Sequence, residues 1–190
     1  MTLARVFAGF FLGILFGTLC GLLSANRVLH ALISPLMTVA RCVPVASFII
    51  LTWYFLNRDQ VPVFAAFIMV VPIVWGNVKK GLDQVDGALR EVALVFDFSF
   101  WKKLKILYVP SVLPYFVAGC TTSLGLSWKA GIAAEVLCRP SASIGNEIFL
   151  SKSYLETVDL FAWTAIVVIL SVLIEKLFLF TLRRAGHDSN

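Results

Sequence analysis

Apolar residues run along this chain in stretches close to the roughly 20 that a helix needs to cross a bilayer, with short polar breaks between them. The first runs from Leu3 to Ala25 and is interrupted only by Arg5. It is too long for the apolar core of a cleaved leader and is read as a retained span. The second, Val28 to Leu56, carries Pro35, Arg41 and Pro44, which predicts a break or kink near Arg41–Pro44. The third covers Val61 to Val78 with Pro72 inside it, and the fourth runs from about Ile106 to about Ala130 with Pro110 and Pro114 near its start. The fifth covers Leu160 to Leu182. Open strands cannot satisfy their backbone in lipid, so all are expected to be helices. The expected fold is an all-α membrane protein of about five transmembrane helices, one domain over 1–190, with a polar inner segment at 79–105.

Composition agrees with this and removes the other classes. The chain is 59% apolar and 14% charged, with a mean hydropathy of +0.90. A soluble domain carries about 25% charged residues, and this chain could not cover a water-facing globule. Cys20, Cys42, Cys120 and Cys138 are widely spaced, and His30 and His187 lack ligand-spaced neighbours, so no metal centre is expected. The net charge of +5 is read as loop topology, with no nucleic-acid partner. Arg27, Lys79, Lys80, Arg90, Lys102, Lys103, Lys105, Arg183 and Arg184 fall on one side, against Arg5, Arg58, Arg139 and Lys152 on the other. The basic side is expected to be cytoplasmic, together with the C-terminus. Five spans then put the N-terminus outside, so either the first span inserts as a reversed anchor or a preceding helix is absent from this chain.

Within the first span Gly9, Gly13, Gly17 and Gly21 recur every fourth residue and line one face. Small residues at this spacing let another backbone approach, either a helix of the same chain or a second copy. Segment 79–105 holds no proline, and Leu89, Val92, Ala93 and Phe96 recur at helical spacing. Phe98, Trp101 and Leu104 begin a second apolar stripe beside Lys102, Lys103 and Lys105. Two short amphipathic helices with an angle near Asp97 are predicted. They would either rest on lipid headgroups or offer an apolar knob, including Phe96 and Phe100, to a partner.

Glu91-Val92-Ala93, then Asp97, then Leu107-Tyr108-Val109-Pro110 resembles the EAA–G–I-x-LP signature of ABC importer permeases, the inner-membrane components of binding-protein-dependent transport. Glu91, Ala93 and Pro110 match the motif, while Asp97 stands where the family has glycine. Glycine permits a left-handed turn between the two short helices, and Asp is among the few residues that tolerate one. Thr2-Leu3 with Arg5 and Gly9, Arg41-Cys42-Val43-Pro44, Trp128-Lys129-Ala130-Gly131, Ala134-Glu135 and Ser143-Ile144-Gly145 are similar to the nitrate/sulfonate/taurine-type branch. The resemblance implies six spans, of which the first is the one lacking here. It also implies that 79–105 is a coupling segment docked in a separate ATPase, which binds the ATP; no cofactor is expected in this chain. Further implied partners are a second permease copy and an extracytoplasmic binding protein, all at the bacterial inner membrane.

Charges at membrane depth are function candidates by default. Arg41 beside the predicted break is read either as a pathway or gate residue or as a contact to carbonyls freed by that break. Lys129 and Glu135, near the outer end of the fourth span, with Ser47 and Trp128, are further pathway candidates. The expected function is the membrane-spanning subunit of an importer for a small solute, with an anion such as a sulfonate or nitrate as a candidate. The chain holds no phosphate-binding G-x-x-x-x-G-K-[ST] loop and is not expected to bind ATP by that route, so energy must come from the partner; it is not expected to be an enzyme. The alternative is a degenerate or truncated permease acting as a membrane scaffold.

Overall fold

The computed structural model describes the backbone of residues 1–187 and the side chains of residues 1–181. The described residues are helical: α1 (Thr2–Leu23), α2 (Arg27–Cys42), α3 (Val45–Phe55), α4 (Gln60–Asp83), α5 (Gly87–Val95), α6 (Phe100–Lys103), α7 (Val109–Cys138), α8 (Ile144–Ser153) and α9 (Thr157–His187). Four stretches are long and apolar enough to cross a membrane, namely α1, α4, Phe100–Cys138 and Thr157–Thr181. Counted as one broken span, the bent pair α2–α3 would make five. The chain is a multi-pass, all-α membrane protein.

The break between α2 and α3 has a local cause. A residue before proline is pushed out of the helical region, and Val43 is extended at φ −69°, ψ 125°. The chain bends by 105° between the two arms. The fourth span is longer than the expected Ile106 to Ala130, because α6 runs on into α7 through a π-helical turn, Leu104–Tyr108. Pro110 explains that turn: its ring crowds the carbonyl four residues back, and widening the helix there relieves the clash. The Val109 N–H accordingly donates to the Leu104 carbonyl, five residues back. Helix α8 was not expected. Ser143 starts it by accepting from the Asn146 N–H at 3.1 Å, an N-cap in a stretch whose hydropathy is too mixed to suggest a helix.

The glycine stripe of α1 packs within the chain, against α4. A Cβ on Gly17 would lie 2.8 Å from the Val71 carbonyl oxygen, and one on Gly21 would lie 2.7 Å from Val78 Cβ. Gly13 meets Val70 and Gly9 meets Val63 and Ala66 in the same order, so α1 and α4 run parallel with their backbones nearly touching. α7 runs antiparallel to both, with Val112 beside Gly81 at one end and Val6 beside Gly131 at the other. Phe10, Val70, Val74, Val78, Leu82 and Leu124 form the core where the three helices meet. α9 packs on the outside of this trio, its Phe178 ring edge-on to Phe10 at 5.8 Å.

This arrangement sorts the charges by end. Arg5, Arg58, Arg139 and Lys152 share the end where α1, α4, α8 and α9 begin, whereas Arg27, Lys79, Arg90 and Lys102 gather at the opposite one. Arg183 and Arg184, counted with the second group, lie outside the residues whose side chains are described.

Candidate functional site

Two regions carry the chemistry the sequence points to. The first is the excursion between α4 and α7. Asp86 opens α5 as its N-cap, its carboxylate accepting from the Ala88 N–H at 2.9 Å. The helix ends in a hydrogen-bonded loop around Asp97, which is left-handed at φ 45°. The Phe98 N–H donates to the Ala93 carbonyl at 3.0 Å and the Asp97 N–H to the Leu94 carbonyl at 3.2 Å. This is the pattern that glycine normally completes at a helix C-terminus, and Asp97 completes it here. The angle predicted at this residue is therefore present, and α6 begins three residues later.

The knob that results is apolar and uncovered. Ala93 is buried, but Leu94, Val95, Phe96, Phe100 and Trp101 are exposed, the last at 75%. Glu91, Val92 and Pro110 are also exposed. Lys102 lies over the Phe98 ring at 4.0 Å and keeps a cation beside the apolar surface. Large contiguous apolar patches on a protein surface mark contact sites.

The second region is the set of charged and polar residues at membrane depth, and the structure does not bring them together. Arg41 donates through Nη2 to the Pro72 carbonyl at 2.5 Å and lies over the Trp75 ring at 5.7 Å. The expectation of a carbonyl freed by the break needs correction: the acceptor belongs to α4, and Gly76, where a Cβ would strike the guanidinium, makes the approach possible. Trp75 is held on its other sides by the His30 ring, stacked at 5.8 Å, and by Ser24, whose hydroxyl accepts from Nε1 at 2.8 Å. Trp128 is buried, with Nε1 donating to the Val167 carbonyl at 3.3 Å. It packs in the core with Val6, Ala66 and Ile132. Ser47 and Lys129 are exposed, and neither forms an ion pair among the described residues.

Glu135 is wholly buried at the Arg5 end. It accepts from the Thr2 hydroxyl at 2.8 Å and from the Gly145 N–H at 3.3 Å, and it pairs with Arg5 at 3.2 Å. Arg5 also reaches Asp59 and donates to the Ser141 carbonyl at 3.0 Å. One guanidinium thus ties the start of α1 to the loops before α4 and before α8. Sequence reasoning singled out Glu135 without finding these partners. The available signal was a pair of opposite charges at the same end of two antiparallel apolar spans.

The family described as binding-protein-dependent transport system inner membrane component matches residues 13–185. The chain belongs to that family. Among its relatives, the bicarbonate transport system permease protein CmpB of Synechococcus elongatus is 32% identical over 155 residues, covering 80% of this chain and 55% of that protein. The nitrate import permease protein NrtB of the same organism is 31% identical over 139 residues, covering 72% and 50%. The putative aliphatic sulfonates transport permease protein SsuC of Bacillus subtilis is 25% identical over 179 residues, covering 93% and 64%. The chain therefore spans between 50% and 64% of the length of these relatives. A solved structure, described as a crystal structure of an amino acid ABC transporter with histidines, has the same fold at 17% identity, with a TM-score of 0.76 over 97% of this chain and 90% of that one.

Proposed function

We propose that this chain is the membrane-spanning subunit of an importer driven by a separate ATPase, and that α5–α6 is the surface the ATPase grips. The uncovered knob around Asp97 carries the reading. Its aromatic side chains are exposed at an end rich in basic residues, where a water-facing surface would not normally leave Phe96, Phe100 and Trp101 bare. ATP would bind to the ATPase, and its closure would push α5–α6 and, through the continuous Phe100–Cys138 helix, the spans packed on it. A second permease copy would complete the pathway, with an extracytoplasmic binding protein delivering solute. The relatives' names support a small anion such as bicarbonate, nitrate or a sulfonate as cargo. The basic end, with the C-terminus, would face the cytoplasm.

The test is co-purification. Tagged full-length protein should retain an ATPase subunit at low salt, and the pair Phe96→Ser and Trp101→Ser should reduce that by roughly tenfold or more, as expected for loss of two aromatic anchors. Photo-crosslinkers at Phe96 or Phe100 that capture only phospholipid would instead make α5–α6 an interfacial helix pair and overturn the coupling role.

A further inference from the structure

At the same end as the knob, a cavity of about 390 Å³ opens between the α1–α2 turn, the last turn of α4 and α5. Its lining is mostly polar and includes Arg27, His30, Lys79, Asp83, Arg90 and Tyr108. The cationic charge in it is only partly compensated. Lys79 pairs with Asp83, one turn along α4. Arg27 forms no ion pair and no side-chain hydrogen bond among the described residues. Arg90 donates one N–H to the Leu82 carbonyl at 3.3 Å and meets no carboxylate there. Arg27 and Arg90 therefore line one recess whose single carboxylate, Asp83, is paired with Lys79, which leaves an excess of positive charge there. His30 lines the recess as well, its ring stacked against Trp75. The positive end of α2 also opens beside this recess, since Arg27 is its first residue.

We propose that this cavity binds a phosphate group, held by Arg27 and Arg90. The planar fork of arginine suits the oxygens of a phosphate, and two such side chains line this recess. The group could come from the headgroup of an anionic phospholipid or from free phosphate. The cavity lies where α1 and α4 end, which is the depth of lipid headgroups. Occupancy would tie the α1–α2 turn to α5 and so bias the angle of the knob. The inference stands on this geometry and does not require the transport reading.

The experiment uses the purified full chain in dodecyl maltoside micelles, which carry no phosphate, with thermal unfolding as the readout. Two additions are compared: inorganic phosphate in the buffer, and phosphatidylglycerol mixed into the micelles. A rise in melting temperature with phosphatidylglycerol only assigns the site to lipid, and a rise with inorganic phosphate assigns it to the free anion. Arg27→Gln should weaken the apparent affinity by roughly tenfold, the loss of one charge-assisted contact. Arg27 is exposed and makes no ion pair among the described residues, so the ligand-free melting temperature should not fall. Lys80→Gln, on α4 over the Tyr115 ring and outside the cavity lining, serves as the control and should keep the full response. No rise with either addition would overturn the proposal. So would an equal rise in Arg27→Gln, or an equal loss in Lys80→Gln, which would mark diffuse surface charge.

Discussion

At the scale of single residues, burial and backbone geometry decide what each polar side chain does. Glu135 lies in a dry position that would be unfavourable for a carboxylate without Arg5 and Thr2. Arg5→Ala should therefore destabilise the protein by about 3–5 kcal/mol, because it strands a buried charge. Adding Glu135→Gln should recover part of that loss, and a double-mutant cycle on unfolding in detergent would measure the coupling. Asp97 works through its backbone instead. A left-handed residue costs about 1–2 kcal/mol with an ordinary side chain and little with glycine. Asp97→Gly should leave α5 as stable or slightly more so, whereas Asp97→Val should loosen it by about that 1–2 kcal/mol. Hydrogen exchange at the Asp97 and Phe98 amides, which close the turn, reads the difference directly. An angle near Asp97 was legible beforehand from the two apolar stripes that flank it, and its left-handed form from the resemblance to a motif with glycine at that position. The partners of Glu135 were not, because Thr2 and Gly145 come from distant parts of the chain.

At the scale of elements, prolines and glycines act as geometric instructions. Pro44 breaks the second span, Pro110 widens the start of α7, and the α1 glycines set how closely α1 approaches α4. Gly17→Leu puts a branched side chain against the Val71 carbonyl and Val74, and no flexible group there can yield. It should push α1 off α4 and cost several kcal/mol, on the order of an overpacked core at its severe end. Limited proteolysis in detergent should show the loss as new cleavage in the 24–27 turn. Gly125→Leu is the matched control, since nothing lies within 4 Å of a Cβ there, and it should be tolerated. The stripe was plain in the sequence, but its two possible partners, α4 or another copy, looked alike. A glycine face records only that some backbone comes close.

At the scale of the whole molecule, the apolar spans and the sorting of charge define two ends, and each end has its own chemistry. The Arg5 end is stapled by ion pairs and hydrogen bonds, while the Lys79 end offers the apolar knob and the cationic recess. On a cysteine-free background, Arg58→Cys and Lys152→Cys should react with a membrane-impermeant thiol reagent in intact cells. Lys102→Cys should react only after permeabilisation. Labelling of all three from outside would rule out the orientation proposed here.

Hydropathy, proline sterics and the backbone preferences of Asp and Gly act between near neighbours. Span positions, the break near Pro44 and the turn at Asp97 could accordingly be worked out before any coordinates. Contacts between remote segments depend on how the helices cross and which faces meet, and no local rule carries that information. The Arg5–Glu135 staple, the anchoring of Arg41 on α4, the burial of Trp128 and the recess shared by Arg27 and Arg90 emerged only once the helices were packed together.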